Sequence, residues 1–306
     1  MLVDNLDAVE GWMHQEIVDV VTDCAVLLRD HWMGGPLAFR RKLDGSMLSS
    51  WDVEVEQRIS AVIARVDPGA RIIGEEAIGE SFRMRRTPGS VAYFIDPIDS
   101  TGTFVAREFA FCVSVTRVGG DGSIGAVIAR PAHEEVFVAS GSGLRCVRHR
   151  FSDPVLMEPR VVAPLRSPDP FVESDLLLVH SQFHRRVASE FPGKIRSYGS
   201  LIYHAINVAR GTAVASVFPV GEPWDRLPIL AIMRAVGGEV AVLHGAPLTV
   251  DHLLAQEFHG PPGHAPVLIA AHVETRALIE RRLSYLPTVR RAHIATTLEP
   301  PREESP

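Results

Sequence analysis

The spacing of apolar residues changes twice along the chain, and this change restricts the possible folds more than any other sequence feature. From residue 6 to residue 66, apolar residues recur at steps of three and four, which predicts two long amphipathic helices. From residue 71 to residue 139 the apolar runs are short and follow one another, which is typical of consecutive strands. From residue 176 onward, strand-like runs alternate with helical ones. The pattern predicts an α+β first half and an α/β second half.

We expect two domains, covering residues 1–145 and 146–290, because the stretch 141–169 is rich in Pro, Ser and Arg and separates the two patterns. The first domain would carry most of the acidic motifs described below, and the second would carry Asp225 and the residues of a substrate pocket. Residues 291–306 are polar and rich in Pro and Glu, and we expect them to form a disordered tail.

The composition excludes several classes of protein. The 306 residues include 31 basic and 37 acidic ones, a net charge of −6, whereas general nucleic-acid binding needs a local excess of Lys and Arg. Three cysteines without paired spacing exclude a disulfide scaffold and a thiolate metal cluster. No apolar run reaches about 18 residues, and the acidic N-terminus is unlike a secretory signal. We therefore expect a soluble, cytoplasmic protein that binds neither nucleic acid nor membranes.

The sharpest local feature is the segment Asp-Pro-Ile-Asp-Ser-Thr at 96–101, directly after an apolar strand predicted at 91–95. Two carboxylates at the exit of a strand converge if the chain turns, and Pro97 fixes one φ angle of such a turn. The hydroxyl and N–H groups that follow would suit a cation that bridges the carboxylates to a phosphate. An ordinary Asx turn explains the same residues, so this segment alone leaves both interpretations open.

Three further acidic residues stand at the ends of predicted elements. Glu75 follows a predicted strand at 71–74, although paired glutamates are also typical of a solvated loop. Asp225 opens a predicted helix, where an N-cap role explains it as well. Asp52 forms a capping box with Ser49, but its spacing places it on the buried face of its helix, where a carboxylate needs a partner.

The combination of these acidic residues indicates a metal site more specifically than any one of them does. Together Glu75, Asp96, Asp99 and Asp225 would bring four negative charges to one place. Each like-charged pair at ~4 Å costs roughly 4 kcal/mol at an effective dielectric of about 20, so such a site requires cations. Oxygen ligands without Cys or His favour Mg²⁺ over zinc.

In this order the motifs resemble the inositol monophosphatase family of magnesium-dependent, lithium-sensitive sugar phosphatases, over roughly residues 6 to 285. The matching blocks are Lys-Leu-Asp-Gly-Ser at 42–46, Ser49 with Asp52, Ile-Gly-Glu-Glu at 73–76, the segment 96–101, Gly-Ser at 199–200, and Trp-Asp at 224–225 with Gly-Gly at 237–238. The resemblance implies a layered αβαβα sandwich, as in the inositol monophosphatase and fructose bisphosphatase superfamily. It also implies two or three bound Mg²⁺ ions and a homodimer.

The resemblance implies roles for the matching residues as well. The metal ligands would be Glu75, Asp96, Asp99, Asp225 and the backbone carbonyl of Ile98. Thr101, held by Asp52, would orient and deprotonate the attacking water, and Glu75 would share in catalysis. Phosphate or substrate would contact Ser100, Thr101, Lys42, Gly199, Ser200 and Phe218. The reaction would be hydrolysis of the phosphate monoester of a small polyol, sugar or related metabolite, without a covalent phosphoenzyme.

Several positions depart from the family's pattern. Ser100 stands where most members have Gly, which restricts the φ angle of the phosphate loop or crowds it, and Thr103 replaces Asn or Glu. Phe218 replaces a substrate-binding Glu of the inositol-specific members, and Leu201 replaces a small residue. These changes leave the implied metal ligands intact and alter the sugar pocket, so we expect a main substrate other than inositol phosphate.

Other functions remain open at this point. The same scaffold would serve a nucleotide 3′-phosphatase or a histidinol-phosphatase, with Phe218, Tyr203 and Arg226 as a platform for a base. A non-catalytic phosphate-binding relative, blocked by Ser100, is a second possibility. A sugar-nucleotide transferase would need a βαβ unit before the Asp pair, where the chain instead shows two predicted helices.

Overall fold

The computed structural model describes residues 13–34, 37–42, 47–78, 84–148, 160–161, 171–256, 258 and 265–286. The start of the first predicted helix, most of the predicted linker and the tail at 291–306 lie outside these residues.

The first half of the described chain packs two long helices on a seven-stranded sheet. The helices are α1 (Gln15–Met33) and α2 (Ser50–Val66), joined through the hairpin of β1 (Phe39–Arg41) and β2 (Met47–Ser49). The sheet runs in sequence order through β3 (Arg71–Gly74), β4 (Val91–Asp99), β5 (Cys112–Gly119), β6 (Ile124–Arg130), β7 (Glu135–Ser140), β8 (Gly143–Arg148) and β9 (Arg160–Val161). Among the described strands of this sheet, only β3 and β4 pair in parallel. The short helices α3 (Glu75–Ile78) and α4 (Thr101–Val105) follow β3 and β4.

The described part of the second half contains a mixed sheet of five strands, together with four helices. The strand order is β12 (Lys194–Arg196), β10 (Leu176–Val179), β13 (Ala215–Pro219), β15 (Val267–His272) and β14 (Gly238–Val242). The helices are α5 (Leu201–Ala209), α6 (Pro223–Ala235), α7 (Val250–Ala255) and α8 (Val273–Glu280). A separate pair joins β11 (Val187–Ser189) to β16 (Leu283–Tyr285).

Buried side chains divide the molecule into layers. Along β6, Val127 packs toward α1 and α2, whereas Ile128 packs toward α5 and α6. Along β15, Leu268 packs toward α5 and α6, whereas Ile269 lies on the far face with Ile279 of α8. This alternation is the period of two expected of strands that are covered on both faces. The layers are therefore helix, sheet, helix, sheet and helix, which confirms the predicted αβαβα sandwich.

Some predicted boundaries differ from the structure. The strand predicted at 91–95 continues to Asp99, because Asp99 pairs with Cys112 after a register shift that follows Asp96. The alternation of Phe109, Phe111 and Val113 with small or polar residues predicts a strand that begins at Phe109. The strand instead begins at Cys112, and Phe109 precedes it and is 41% exposed.

The expected boundary between residues 145 and 146 falls within β8, and the division into two domains stays a prediction. No helix of the described ranges is both long enough and apolar enough to cross a bilayer.

Candidate active site

Three carboxylates from different parts of the chain meet at one point of the fold. Asp96 and Asp99 lie near the end of β4, and Asp225 lies in the first turn of α6. Each offers an oxygen atom, and these atoms lie within 4.8 Å of one another. Two of the three side chains, Asp96 and Asp99, are buried. The structure thus brings Asp225 next to two residues that lie 126 and 129 positions earlier in the chain, and this spacing of oxygen atoms suits shared coordination of a divalent cation.

Asp96 is the least satisfied member of the cluster. It is 1% exposed, and its Oδ1 atom has no hydrogen-bond partner among the described residues. Burial raises the pKa of Asp96 well above its usual range, and the charges of Glu75 and Asp99 raise it further. A buried carboxylate without a donor or a counterion is strongly unfavourable. The residues present therefore fit a bound cation, which would supply the missing partner.

Asp99 is held in place by the N-terminus of α5. Its Oδ2 atom accepts a hydrogen bond from the Ser200 hydroxyl at 2.5 Å and one from the Ile202 N–H at 2.8 Å. Burial raises the pKa of Asp99 to about 7, although the bond from Ser200 opposes this effect. Ser200 is also the N-cap of α5 and accepts from the Tyr203 N–H. The second half of the chain therefore positions a carboxylate of the first half.

Asp225 reaches the cluster from a different helical position than we predicted. The N-cap of α6 is Glu222, and Asp225 is the third residue of the helix, where its Oδ2 atom accepts from the Glu222 N–H at 2.8 Å. The simple N-cap interpretation of Asp225 is therefore wrong, and Pro228 lies inside the helix. A Cβ atom on Gly221 would lie 2.5 Å from Asp225 Oδ2, so the close approach of this turn requires glycine.

Glu75 stands beside the three-carboxylate cluster and pairs with a lysine. It begins α3 directly after β3, whose last residue lies next to Ile95 of β4. The Lys42 ammonium lies 2.8 Å from Glu75 Oε1 and 2.6 Å from Glu76 Oε1. Burial raises the pKa of Glu75 to about 8, and the Lys42 charge only partly offsets the effect. Burial opposes protonation of Lys42, but the two glutamates together raise its pKa.

Thr101 and Asp52 form a buried hydrogen-bonded pair next to the cluster. The Thr101 hydroxyl donates to Asp52 Oδ1 at 2.8 Å, and it lies 3.3 Å from the carbonyl oxygen of Ile98. The other oxygen of Asp52 accepts from the N–H of Ser49, as the capping-box prediction requires, and also from the Ser49 hydroxyl. Asp52 is fully buried, and burial raises its pKa against these hydrogen bonds. With its proton directed to Asp52, the Thr101 oxygen can accept a hydrogen bond from water.

Ser100, the main departure from the family pattern, adopts a left-handed backbone with φ of 73°. Its hydroxyl lies 2.5 Å from that of Thr103. A Cβ atom on Gly199, which itself has φ of 96°, would lie 2.3 Å from the Thr103 hydroxyl oxygen and 2.8 Å from that of Ser100. The two substituted residues therefore pack against Gly199, at the junction between the halves.

Sequence reasoning missed Glu56, a buried neighbour of the site. Its Oε2 atom accepts the Glu76 N–H at 2.8 Å, and a Cβ atom on Gly74 would collide with its carboxyl group at 2.2 Å. Glu56 lies one helical turn after Asp52 on the same buried face of α2, so the periodicity that marked Asp52 also marks Glu56. It fixes the backbone that presents Glu75.

Comparison with known proteins places the chain among the relatives that its motifs indicated. The model of the inositol monophosphatase family matches residues 18–277. The chain belongs to this family. Inositol-1-monophosphatase of Bacillus subtilis is 28% identical over 215 residues, which cover 66% of this chain and 75% of that protein. A fructose-1,6-bisphosphatase/inositol-1-monophosphatase of Aquifex aeolicus is 26% identical over 220 residues, covering 70% and 78%.

A relative with a different name matches a similar share of the chain. It is described as glucose-1-phosphate thymidylyltransferase of Streptomyces griseus and is 28% identical over 233 residues, which cover 74% of this chain and 84% of that protein. Among solved structures, the Thermotoga maritima IMPase TM1415 has a TM-score of 0.64 at 22% identity and covers 86% of this chain and 95% of its own. That likeness supports the fold.

The family and the named phosphatases establish the class of reaction for this inositol monophosphatase relative. The chain is a phosphoric monoester hydrolase. The roles that the resemblance implies for the individual side chains stay predictions.

Proposed function

We propose that this protein hydrolyses the phosphate monoester of a small polyol, sugar or related metabolite with the help of two or three Mg²⁺ ions. The observation that carries the proposal is the meeting of Asp96, Asp99 and Asp225 around an unpartnered, buried carboxylate oxygen. Carboxylate oxygens are the ligands that Mg²⁺ prefers, and the described side chains within the cluster include neither Cys nor His. Cytoplasmic location and a homodimer stay predictions.

The residues around the cluster would have different roles in hydrolysis. Bound magnesium would supply the Lewis acidity that lowers the pKa of the attacking water and neutralises charge on the leaving oxygen. Thr101 would fix the orientation of that water and accept its proton while its own hydroxyl proton passes to Asp52, so that Asp52 would hold the released proton. Glu75 would join the ligand set once its bond to Lys42 is exchanged for a cation. The Lys42 ammonium would then remain near the phosphate as a mobile positive charge.

A nucleotide 3′-phosphatase receives no support from the residues that we expected to bind a base. Phe218 is 1% exposed, Tyr203 is 5% exposed and Arg226 is fully buried. Their broad surfaces therefore pack inside the protein instead of forming an open platform. The transferase suggested by one relative's name is expected to carry a nucleotide-binding βαβ unit before the Asp pair. In the described chain the two long helices α1 and α2 come first, and the helix described between the parallel strands β3 and β4 is the four-residue α3.

Release of inorganic phosphate from a panel of esters tests the proposed function. The panel contains sugar, inositol, nucleotide and amino-alcohol phosphates, each assayed with Mg²⁺ and with EDTA. We expect turnover of sugar or polyol monoesters that EDTA abolishes. Hydrolysis of histidinol phosphate or a nucleotide in preference to these would favour the alternative substrates. No hydrolysis of any monoester in Mg²⁺ would contradict the proposal.

A Ser100→Gly variant distinguishes an active enzyme from a phosphate-binding relative whose site is blocked by Ser100. The left-handed conformation of Ser100 is already present in the fold, and its hydroxyl is bound to Thr103, so glycine at this position is expected to leave the phosphate loop in place. We therefore expect Ser100→Gly to change kcat/KM of the best monoester by no more than a few-fold. A wild-type protein without activity, combined with a Ser100→Gly variant that gains activity, would instead identify a blocked relative.

A further inference from the structure

Strand β5 places one residue opposite each of the two aspartates of β4. Asp96 is paired with Ser114 and Asp99 is paired with Cys112, so β4 has one residue more than β5 between these two pairs. In a regular strand, residues three positions apart point to opposite faces of the sheet, but a bulge with one extra residue turns them to the same face. Two residues on one face of β5 are therefore aligned with two of the clustered carboxylates.

Ser114 and Asp96 lie on the face of the sheet that packs against α6. Their neighbours along this face, Phe94 of β4 and Cys112 of β5, belong to the buried cluster that also contains the apolar residues of α5 and α6. The first turn of α6 carries Asp225, the third carboxylate. Directly opposed residues of an antiparallel pair have Cβ atoms roughly 4.5–5.5 Å apart. Side-chain rotation therefore brings the Ser114 hydroxyl within reach of the Asp96 carboxylate.

These two opposed side chains both contain an atom without a hydrogen-bond partner. Ser114 is fully buried, and its Oγ atom has no partner among the described residues. The same holds for Oδ1 of Asp96, which is 1% exposed. A buried hydroxyl without an acceptor and a buried carboxylate oxygen without a donor are both unfavourable. A donor and an acceptor thus lie next to each other, and one hydrogen bond would satisfy both.

The other aspartate of β4 already has a serine hydroxyl as its donor. Asp99 Oδ2 accepts from Ser200 at 2.5 Å. An ionised carboxylate has about four lone-pair sites, so a hydrogen bond of this kind leaves room for a cation. Carboxylates that bind metals are typically hydrogen-bonded in this way, and the bond fixes their orientation. For Asp96, the hydroxyl in the corresponding position is that of Ser114.

We propose that Ser114 is a positioning residue for Asp96, and that its hydroxyl donates a hydrogen bond to this carboxylate when a divalent cation is bound at the cluster. The inference rests on the proposed function, because it requires a metal at Asp96. The cation and the hydroxyl occupy different lone pairs of the carboxylate and together hold it in one orientation. Ser114 acts through Asp96 and takes no part in the hydrolytic step.

The affinity for Mn²⁺ tests the inference in the absence of substrate. We expect Ser114→Ala to weaken Mn²⁺ binding by about ten- to a hundredfold, the effect typical of a lost partner of a metal ligand. Calorimetry, or the electron paramagnetic resonance signal of free Mn²⁺, measures this change. Ser114→Thr keeps the hydroxyl on a side chain that suits a strand, and it should bind Mn²⁺ within a few-fold of the wild type.

Thr116→Val is the matched control. Thr116 lies two residues further along the same face of β5, is fully buried, and also has a hydroxyl without a partner among the described residues. It is opposite Phe94 instead of a carboxylate. Removal of its hydroxyl should therefore leave the affinity for Mn²⁺ unchanged. Equal losses of affinity in Thr116→Val and Ser114→Ala would indicate a general effect of packing and would overturn the inference.

Urea unfolding in EDTA separates positioning of Asp96 from a purely structural role of Ser114. Since the Ser114 hydroxyl has no partner in the metal-free fold, Ser114→Ala should not lower the free energy of unfolding in EDTA. It should reduce the additional stability that Mn²⁺ confers. A less stable variant in EDTA with unchanged Mn²⁺ affinity would assign the hydroxyl a structural role and contradict the inference.

The wild-type titration distinguishes the two claims. A wild type that does not bind Mn²⁺ would contradict the proposed function, and this inference with it. Wild-type binding that Ser114→Ala leaves intact would contradict the inference alone.

Discussion

Replacement of Asp96 by Asn is expected to lower kcat/KM for phosphate release by about a thousandfold or more in Mg²⁺. Asp96 is buried, and its Oδ1 atom has no partner among the described residues, so a cation is the group best placed to satisfy it. Metal ions contribute several kcal/mol of transition-state stabilisation in such sites, and ~4 kcal/mol corresponds to about a thousandfold in rate. Asn keeps the size of the side chain but loses the charge that binds the metal.

The same substitution is expected to stabilise the protein when metal is removed. With EDTA at pH 8, the folded wild type must either keep Asp96 protonated or bury its charge beside Glu75 and Asp99. A carboxyl group that stays protonated in the folded protein destabilises it by ~1.4 kcal/mol for each pH unit above the pKa of the same group in the unfolded chain. Asn has no proton to release and avoids this cost, so Asp96→Asn should raise the free energy of unfolding by a few kcal/mol.

Asp121→Asn is the control for both effects, since Asp121 is exposed and only caps the turn at Ser123. Urea unfolding in EDTA and initial rates in Mg²⁺ give the two readouts. Near-normal activity of Asp96→Asn would remove Asp96 from the metal centre.

The stability of the metal-free protein is expected to fall as pH rises from about 6.5 to 8. Burial gives Glu75 a pKa of about 8 and Asp99 a pKa of about 7 in the folded state, both above their usual values near 4. Between the unfolded and the folded pKa of each group, the folded protein binds more protons than the unfolded chain. The free energy of unfolding therefore decreases as the pH rises through this range. The expected slope approaches ~1.4 kcal/mol per pH unit for each proton that is retained.

Mg²⁺ is expected to flatten this slope, because cations stabilise the ionised carboxylates and bind the folded state selectively. The interval begins at pH 6.5 because below it buried His204, with a pKa lowered by burial to about 4, acts in the opposite direction. The measurement is urea unfolding at half-unit pH steps, with EDTA or with Mg²⁺. Parallel curves in the two buffers would show that the carboxylates are not coupled to the metal.

The sequence was sufficient to predict an α+β first half and an α/β second half, because helical and strand periods differ along whole segments, whereas the order of the layers was an expectation from the family resemblance. It also predicted the inward direction of Asp52, since that depends only on the spacing of Asp52 from Val55 and Ile59 within one helix. Properties fixed by a repeating local pattern are readable from one sequence.

Other features depend on contacts between distant segments and left no local signal. β4 continues to Asp99 only because β5 offers Cys112 as a shifted partner. The hydrogen bond from Ser200 to Asp99 joins residues 101 positions apart. The N-cap alternative for Asp225 was wrong because Glu222, an uncommon N-cap, precedes α6 and accepts from the Asp225 N–H. Such details require the folded chain.

The most direct test of the metal centre is an anomalous difference map from crystals grown with Mn²⁺, which replaces Mg²⁺ and scatters anomalously. We predict a peak about 2.0–2.3 Å from carboxylate oxygens of Asp96, Asp99 and Asp225. No peak among these three residues, in crystals of a protein that hydrolyses esters at the same Mn²⁺ concentration, would contradict the account.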